Sequence, residues 1–193
     1  MSSNPVLEEA LRIAELGYKV LPCSQDKKPI LKGWPEKATT DVQQIKAWFS
    51  NTDYLLAVQT GPETNLFVLD VDPNGIEWLA ENQHRMLCER LHQTLRGTHY
   101  LYGFPDALKG MKTNTVGKIH AGIDTRGEGG CLIWWPAHGL GAIGDLTDLT
   151  EPPSWLMDAL VQSSGAPRGQ STSASNQIEE GSSLSERHCD CLL

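Results

Sequence analysis

Leu66-Phe-Val-Leu-Asp-Val-Asp72 is an apolar run that ends in two carboxylates, and the turn-forming residues Pro73-Asn-Gly75 follow it immediately. A short apolar run rich in Val and Phe and bounded by turn residues predicts a buried β-strand. Because side chains alternate across a strand, Asp70 and Asp72 should project from the same face. We therefore expect a sheet in which one strand ends in a pair of neighbouring acids.

Upstream of this strand, the pattern predicts two helices and two strands. Asn4-Pro5 is an N-cap followed by a first-turn proline, and the helix that it begins should break at Gly17. Thr40, with Gln43 three residues later as a capping-box partner, begins the second helix. The strands are expected at Tyr18–Leu21 and Leu55–Val58.

Downstream, apolar residues at helical spacing predict a helix from about residue 76 to 95, which Gly97 ends. Residues 107–118 are polar and are expected to form a loop. Ser154, after two prolines, should cap a last short helix. The strands predicted in this part of the chain are Thr98–Tyr102, Ile119–Arg126 and Cys131–Trp135.

These elements predict an α+β fold, with a single mixed α/β domain at residues 1–162. Residues 163–193 are rich in Ser, Gly, Gln, Asn and Glu without periodicity, which indicates a flexible linker or tail. No apolar run approaches the about 20 residues of a membrane span, and the N-terminus is not typical of a signal peptide. Five scattered cysteines favour reduced thiols and a cytoplasmic location.

The formal net charge of −8 argues against a simple basic nucleic-acid binder. The charge is uneven along the chain, because residues 127–193 carry two basic and nine acidic side chains, whereas residues 94–126 carry five basic and two acidic ones. Any DNA binding should therefore be weak and local, and should depend on bound metal or on a partner protein.

The Asp70–Asp72 pair is the sharpest chemical feature. Two carboxylates about 7 Å apart along a strand repel each other unless a cation lies between them. Mg²⁺ or Mn²⁺ would suit this pair, since hard cations take carboxylate oxygens. The alternative is that an Asp-x-Asp before Pro-Asn-Gly only starts a turn. His99 also has two interpretations. It could donate to a phosphate or act as an acid–base group, or it could be a buried histidine with satisfied hydrogen bonds.

Asp124 and Arg126 share a face of a later strand, and the glycine-rich stretch Gly127-Glu-Gly-Gly130 follows them. A third carboxylate beside a guanidinium suits a metal ion with a polyphosphate, while a surface Asp–Arg pair of little energetic value is the alternative. The chain has no Walker A or dinucleotide-binding fingerprint. Together, three carboxylates, one histidine and one arginine at strand ends fit two-metal phosphoryl or nucleotidyl transfer.

An ordered set of short motifs extends this pattern along the chain: Gly17-Tyr-Lys-Val-Leu-Pro22, Lys28-Pro29, Trp34, Ala38-Thr-Thr-Asp41, Trp48, Thr60-Gly61, Val68-Leu-Asp-Val-Asp72, Gly97-Thr-His99 and Gly122-Ile-Asp-Thr-Arg-Gly-Glu-Gly-Gly130. In order and spacing, these motifs resemble the bifunctional primase/polymerase (prim-pol) domain, a branch of the archaeo-eukaryotic primase superfamily found in plasmid, phage and prophage replication proteins. The resemblance covers about residues 5–160.

The resemblance implies an RRM-like palm with an N-terminal α/β part, and a DNA-directed primase/polymerase activity. It implies that Asp70, Asp72 and Asp124 bind two Mg²⁺ or Mn²⁺ ions and, with His99, are catalytic. It also implies that His99, Thr98 and Arg126 contact the incoming NTP or dNTP. Single-stranded DNA template and a helicase, in cis or in trans, are the implied partners. Lys28 and Trp34 match a family pattern to which we assign no role.

Two other classes of function stay open. One is a non-catalytic module that binds nucleotide or single-stranded DNA and recruits a helicase. The other is an Asp-x-Asp sugar-nucleotide transferase, which would leave His99 and Asp124 unexplained. His188-Cys-Asp-Cys191 is a poor zinc site, because its three ligands lie in the predicted tail with no second pair.

Overall fold

Two antiparallel sheets and five α-helices make up residues 4–163, the part of the 193-residue chain that this computed structural model describes. The helices are α1 (Pro5–Glu15), α2 (Trp34–Lys37), α3 (Val42–Phe49), α4 (Ile76–Asn82) and α5 (Ser154–Ser163). The strands are β1 (Val20–Cys23), β2 (Leu55–Thr60), β3 (Phe67–Val71), β4 (Arg90–Gln93), β5 (Thr98–Tyr102), β6 (Thr115–His120), β7 (Ile123–Arg126), β8 (Gly130–Ile133) and β9 (Ala142–Ile143). The predicted tail beyond residue 163 and the His188–Cys191 cluster lie outside the described residues.

The larger sheet has six strands in the order β6-β7-β3-β5-β4-β9, and each neighbouring pair is antiparallel. The strand predicted at 66–72 is confirmed as β3, which lies between β7 and β5. Its apolar residues explain this central place, because a strand with neighbours on both sides and cover on both faces is apolar along its length. The smaller sheet has the order β1-β2-β8. The α+β fold class is therefore confirmed.

The six-stranded sheet has apolar cores on both faces, and alternation along β3 divides its residues between them. Phe67, Leu69 and Val71 pack on one face with Leu156 and Leu160 of α5. Val68 packs on the other face in a core that α1, α3 and the smaller sheet also supply. Asp70 lies on this second face, as expected from period-2 alternation. The acid therefore faces the side of the sheet that the smaller sheet partly covers.

The first helix confirms its predicted N-terminus, since Asn4 Oδ1 accepts a hydrogen bond from Leu7 N at 3.0 Å. The prediction for the second helix is wrong by one residue. Its N-cap is Asp41 rather than Thr40, and Asp41 Oδ1 accepts from Gln44 N at 2.7 Å. Asp caps a helix at least as well as Thr, so the carboxylate takes this position.

The predicted helix at 76–95 is wrong in its second half. The α-helix ends at Asn82, and residues 90–93 form strand β4. Leu87 and Leu95, which extend the helical spacing, are 76% and 62% exposed. Pairing of β4 with β5 buries other residues of this stretch instead, and this tertiary pairing overrides the helical spacing.

The chain around residue 120 also differs from the prediction. Strand β6 occupies Thr115–His120, so part of the predicted loop at 107–118 is a strand. The strand predicted at 119–126 is instead the end of β6, a tight turn and β7. Gly122 makes this turn at φ +75°, a left-handed conformation that glycine adopts readily. Among residues 4–163, no helix is long and apolar enough to span a membrane.

Candidate active site

A row of polar side chains crosses four adjacent strands of the larger sheet. His92 on β4 is the direct partner of His99 on β5, and His99 is the direct partner of Asp70 on β3. Asp70 is in turn the direct partner of Asp124 on β7. Direct cross-strand partners project from the same face of a sheet. The sheet therefore brings together three residues that the sequence analysis had selected, and adds His92 to them.

Close backbone packing fixes the end of β3, where the acids lie. A Cβ atom on Gly97 would lie 1.9 Å from the Val71 carbonyl oxygen, so no side chain fits there. A Cβ atom on Gly122 would lie 2.4 Å from Gly75 N. Asp72 N donates a hydrogen bond to the Gly122 carbonyl at 2.9 Å. Asp72 lies just beyond the strand, and these contacts hold its backbone extended. Its side chain therefore projects from the same face as the side chain of Asp70.

Arg126 lies between two of the acids. Its Nη2 is 3.0 Å from Asp124 Oδ2 and 4.0 Å from Asp70 Oδ2. Gly117 N donates a hydrogen bond to the other Asp124 oxygen at 3.0 Å. Asp124 and Arg126 thus share a strand face and are in contact, as predicted, and both oxygens of Asp124 have a partner within the chain.

Asp70 carries more negative charge around it than Arg126 offsets. Burial and, after it, the nearby Asp72 carboxylate raise the pKa of the Asp70 carboxyl, Arg126 acts in the opposite direction, and the net pKa is about 6. A carboxyl with a raised pKa is one whose charged form lacks sufficient solvation or counter-charge. The acid cluster therefore favours the arrival of a cation.

His99 is only 5% exposed and its Nε2 lies 3.5 Å from Asp70 Oδ1. Burial and, to a smaller extent, the cations Arg126 and Lys27 together lower the pKa of His99 to about 3. The imidazole is therefore neutral near pH 7. Its Nε2 therefore approaches the Asp70 carboxylate as part of a neutral ring, and the contact is not an ion pair.

A cleft of about 150 Å³ opens on this row, between the larger sheet and β8 of the smaller one. Four of the predicted site residues line it: Asp70, Asp72, His99 and Arg126. Asp124 reaches this group through its contact with Arg126. Thr98 immediately precedes His99 in β5, so its side chain projects from the opposite face of the sheet.

Lys27 and Trp135 also line the cleft, although the sequence pattern predicts neither as a site residue. Lys27 has φ +63° in a turn where Ser24 N donates to the Lys28 carbonyl at 2.8 Å. The Lys27 ammonium lies 5.2 Å from the centroid of the Trp135 ring, within cation–π range. The two adjacent lysines were the only sequence signal, and the turn selects Lys27 for the cleft rather than Lys28.

The donor set suits a hard divalent cation only in part. Asp70 and Asp72 offer carboxylate oxygens in a cleft where burial and their mutual repulsion disfavour the ionised Asp70, which fits Mg²⁺ or Mn²⁺. Within residues 4–163, however, no group of three or more His, Cys, Asp or Glu side chains is arranged to hold a metal ion. Asp124 Oδ2 is held by Arg126, and movement of the guanidinium would free it to join the other two acids.

A larger cavity of about 450 Å³ lies elsewhere, beside the end of α1 and the turn at residues 62–65. The only acid or base along its wall is Glu63, which pairs with Lys19 on the surface. Size alone would favour this cavity, but the smaller cleft holds the clustered acids, the buried histidine and two cations. The smaller cleft is therefore the better candidate for chemistry.

A model of the protein family described as "Bifunctional DNA primase/polymerase, N-terminal" matches residues 10–155 of the chain. The matched range begins within α1 and ends at the start of α5, so it includes both sheets and every residue that lines the cleft. No curated protein matches the chain.

Proposed function

The chain belongs to the bifunctional DNA primase/polymerase family, and from this premise we propose that its cleft joins nucleotides on a single-stranded DNA template. Membership supports a primase or polymerase function in general, with DNA and nucleotides as substrates. The finer proposal is two-metal nucleotidyl transfer from an NTP or dNTP to a primer end or an initiating nucleotide. We place this activity in the replication of a mobile element, with a helicase as partner.

One observation carries the proposal: Asp70 lies between His99 and Asp124 on adjacent strands and opens into the same cleft as Asp72. Acids from two strands then lie close together, beside a neutral histidine and two cations. Nucleotidyl transfer needs such a set, because it must bind a polyphosphate and stabilise charge on the attacking and leaving oxygens.

The cations of the cleft would bind the triphosphate. Arg126 presents a planar guanidinium that can contact two phosphate oxygens at once, and Lys27 adds a point charge from the neighbouring turn. The neutral His99 ring can donate a hydrogen bond to a phosphate oxygen without adding charge. These side chains would orient the α-phosphorus for in-line attack by a primer hydroxyl.

Arg126 would change partners during this binding. In the absence of substrate, it neutralises Asp124 at 3.0 Å. A triphosphate carries more negative charge than one carboxylate and would draw the guanidinium away. Asp124 would then be free to join Asp70 and Asp72. Bound Mg²⁺ or Mn²⁺ would supply Lewis-acid stabilisation of the attacking hydroxyl and the leaving pyrophosphate.

The size of the cleft fits the phosphates rather than the whole nucleotide. At about 150 Å³ it is roughly half the smallest volume typical of small-molecule pockets. The sugar and base would therefore remain outside, where template pairing can select the base. The net charge of −8 is consistent with weak DNA binding by this chain alone.

Primer extension on single-stranded template tests the proposal. Labelled dNTPs and rNTPs are supplied with Mg²⁺ or with Mn²⁺, with and without a primer. We expect the wild type to make product and the double variant Asp70→Ala/Asp72→Ala to make none. Glu77→Ala/Glu81→Ala is the matched control, because it removes two exposed acids of α4 outside the cleft. Undiminished extension by the Asp70/Asp72 variant would overturn the assignment.

The second candidate is a non-catalytic module that binds nucleotide or single-stranded DNA and recruits a helicase. The observation in its favour is the engagement of both Asp124 oxygens by Arg126 and Gly117, which leaves only two acids free. Such a module would retain nucleotide in an equilibrium binding assay without making product in either metal. The sugar-nucleotide transferase has no comparable observation in its favour.

A further inference from the structure

Two buried nitrogen atoms beside the cleft have no hydrogen-bond partner within residues 4–163: His92 Nδ1 and His99 Nδ1. The two histidines are direct partners across the β4–β5 ladder and share one face of the sheet. Buried polar atoms in folded proteins are nearly always satisfied, directly or through ordered water. Two neighbouring exceptions on one sheet face therefore need a common explanation.

The hydrogen bonds of His92 fix which of its nitrogens carries the proton. Arg90 Nε donates to His92 Nε2 at 3.0 Å, and a guanidinium can only donate. His92 Nε2 is therefore the acceptor nitrogen. Full burial and the adjacent Arg90 lower the pKa of His92 to about 2, so the ring is neutral. Its single proton must then lie on Nδ1, which is a buried donor.

The opposite tautomer follows for His99. Its Nε2 faces Asp70 Oδ1 at 3.5 Å, and an ionised carboxylate can only accept. The proton of this neutral ring is therefore on Nε2, and Nδ1 carries a lone pair. One unpartnered donor and one unpartnered acceptor thus lie on residues directly opposite each other. Cβ atoms of such pairs are about 4.5–5.5 Å apart, within reach of imidazole rings.

We propose that His92, held by Arg90, is a positioning residue that sets the tautomer of His99. The connection runs from His92 Nδ1–H to His99 Nδ1, directly or through one buried water. It leaves His99 with Nε2–H directed at Asp70 and the cleft. The catalytic consequence rests on the proposed function, whereas the two tautomers are argued from the Arg90–His92 hydrogen bond, the approach of His99 Nε2 to Asp70 and the burial of both rings.

The consequence for substrate binding is electrostatic. With the proton on Nε2, His99 offers a donor to Asp70 or to a phosphate oxygen. With the proton on Nδ1, the Nε2 lone pair would face two kinds of acceptor and repel both. His92 is itself held in place. Its ring packs edge-on against Trp134, with 4.4 Å between the ring centroids, and its partner Arg90 is fixed by donating from Nη1 to the Gly144 carbonyl. A rigid His92 can therefore impose one tautomer on its neighbour.

Long-range ¹H–¹⁵N correlation spectra of the labelled full chain at pH 8 test the tautomers directly, because each imidazole tautomer has its own pattern. Loss of signals in His92→Asn and in His99→Gln assigns the two rings. We expect His92 as the Nδ1–H form and His99 as the Nε2–H form. Finding His99 as the Nδ1–H form in the wild type would overturn the inference.

Two amide variants separate positioning from mere packing. In His92→Asn the amide nitrogen can take the place of Nδ1, whereas in His92→Gln the amide reaches the place of Nε2 beside Arg90. We expect Asn to keep the Nε2–H form of His99, with nucleotide KM within about threefold of the wild type. We expect His92→Gln to lose the Nε2–H form of His99. Its nucleotide KM should rise about tenfold, which is the effect of one lost hydrogen bond. Equal spectra and equal KM values for the two variants would contradict the proposal.

The imidazole spectra and the primer-extension assay test different statements, so either can fail without the other. Wild-type spectra with the expected tautomers support the inference even in a preparation that makes no product, and that result would count against the proposed function only. Conversely, normal primer extension together with the Nδ1–H form of His99 would overturn the inference and leave the proposed function standing.

Discussion

Asp70 and Asp124 face each other across the β3–β7 ladder, and Arg126 lies between their carboxylates, 4.0 Å from one and 3.0 Å from the other. Backbone pairing of β3 with β7 holds the two acids together. Their repulsion is therefore a standing cost of the fold, only partly offset by one guanidinium. Each prediction below depends on this imbalance of charge or on the packing that maintains it.

The first prediction concerns pH and the Asp70→Asn variant. The pKa of the Asp70 carboxyl is about 6 in the folded chain, against an ordinary value of 3.8. The folded chain therefore binds this proton more tightly than the unfolded chain, and stability falls as the pH rises from about 4 to about 6. We expect Asp70→Asn to be more stable than the wild type at pH 8, by at most about 3 kcal/mol, with the difference vanishing near pH 4.

Urea unfolding at pH 4, 6 and 8, with a chelator present, measures this difference. His92 and His99 have lowered pKa values and act in the opposite direction, so only the comparison of variant with wild type isolates Asp70. Asp106→Asn is the matched control, because its side chain is 89% exposed. A pH-independent difference between Asp70→Asn and the wild type would contradict the raised pKa.

The sequence was sufficient to predict Asp70, His99, Asp124 and Arg126 as neighbours. Period-2 alternation and strand ends place such residues on a common face, and the resemblance to a family implies that they form one site. The sequence was not sufficient to predict β4, because the leucines of this stretch fit helical spacing. Only pairing with β5 decides between helix and strand. His92 was missed for this reason, since its partner in the sheet depends on that pairing.

Lys27 was missed for a different reason. Lys27 and Lys28 are adjacent and chemically identical, so composition and pattern cannot rank them. A single backbone torsion, φ +63° at Lys27, decides which ammonium lines the cleft. Such a conformation depends on the hydrogen bonds of the whole turn, which no local propensity encodes.

The second prediction uses this pair of lysines. Lys27→Ala should raise the KM for nucleotide about fivefold to tenfold, because one cation near the triphosphate is lost. Lys28→Ala removes the same charge from the next residue, which does not line the cleft, and should change KM less than twofold. Steady-state extension with varied nucleotide concentration measures both. Equal effects of the two substitutions would show that only the net charge of the loop matters.

The third prediction concerns the packing that holds Asp72. Gly97→Ala places a Cβ atom 1.9 Å from the Val71 carbonyl oxygen, so the end of β3 must separate from the turn before β5. We expect a loss of stability of about 2–3 kcal/mol or more, together with loss of extension activity. At Gly110 a Cβ atom would meet open space, but the backbone has φ +71°. Gly110→Ala should therefore lower the free energy of unfolding by only about 1 kcal/mol. Chemical denaturation compares the two, and equal losses would refute the close approach at Gly97.

The fourth prediction separates the two roles that Arg126 has in this cleft. Arg126→Gln removes the partner of Asp124 Oδ2, so that Asp124 can bind a cation together with Asp70. In the absence of nucleotide, this variant should bind Mn²⁺ more tightly than the wild type, by about tenfold for one added carboxylate contact. With nucleotide present, the loss of the guanidinium should raise the nucleotide KM by about tenfold or more.

The free Mn²⁺ signal in electron paramagnetic resonance titrations measures the first effect, and extension kinetics measure the second. Arg12→Gln is the matched control, since it removes an exposed arginine that pairs with Glu9 on α1. Opposite signs for metal affinity and nucleotide affinity are the signature of an arginine that competes with the cation for Asp124 and then transfers to the phosphates. If Arg126→Gln weakens Mn²⁺ binding, the guanidinium organises the acids instead of blocking them, and the exchange of partners proposed for Arg126 is wrong.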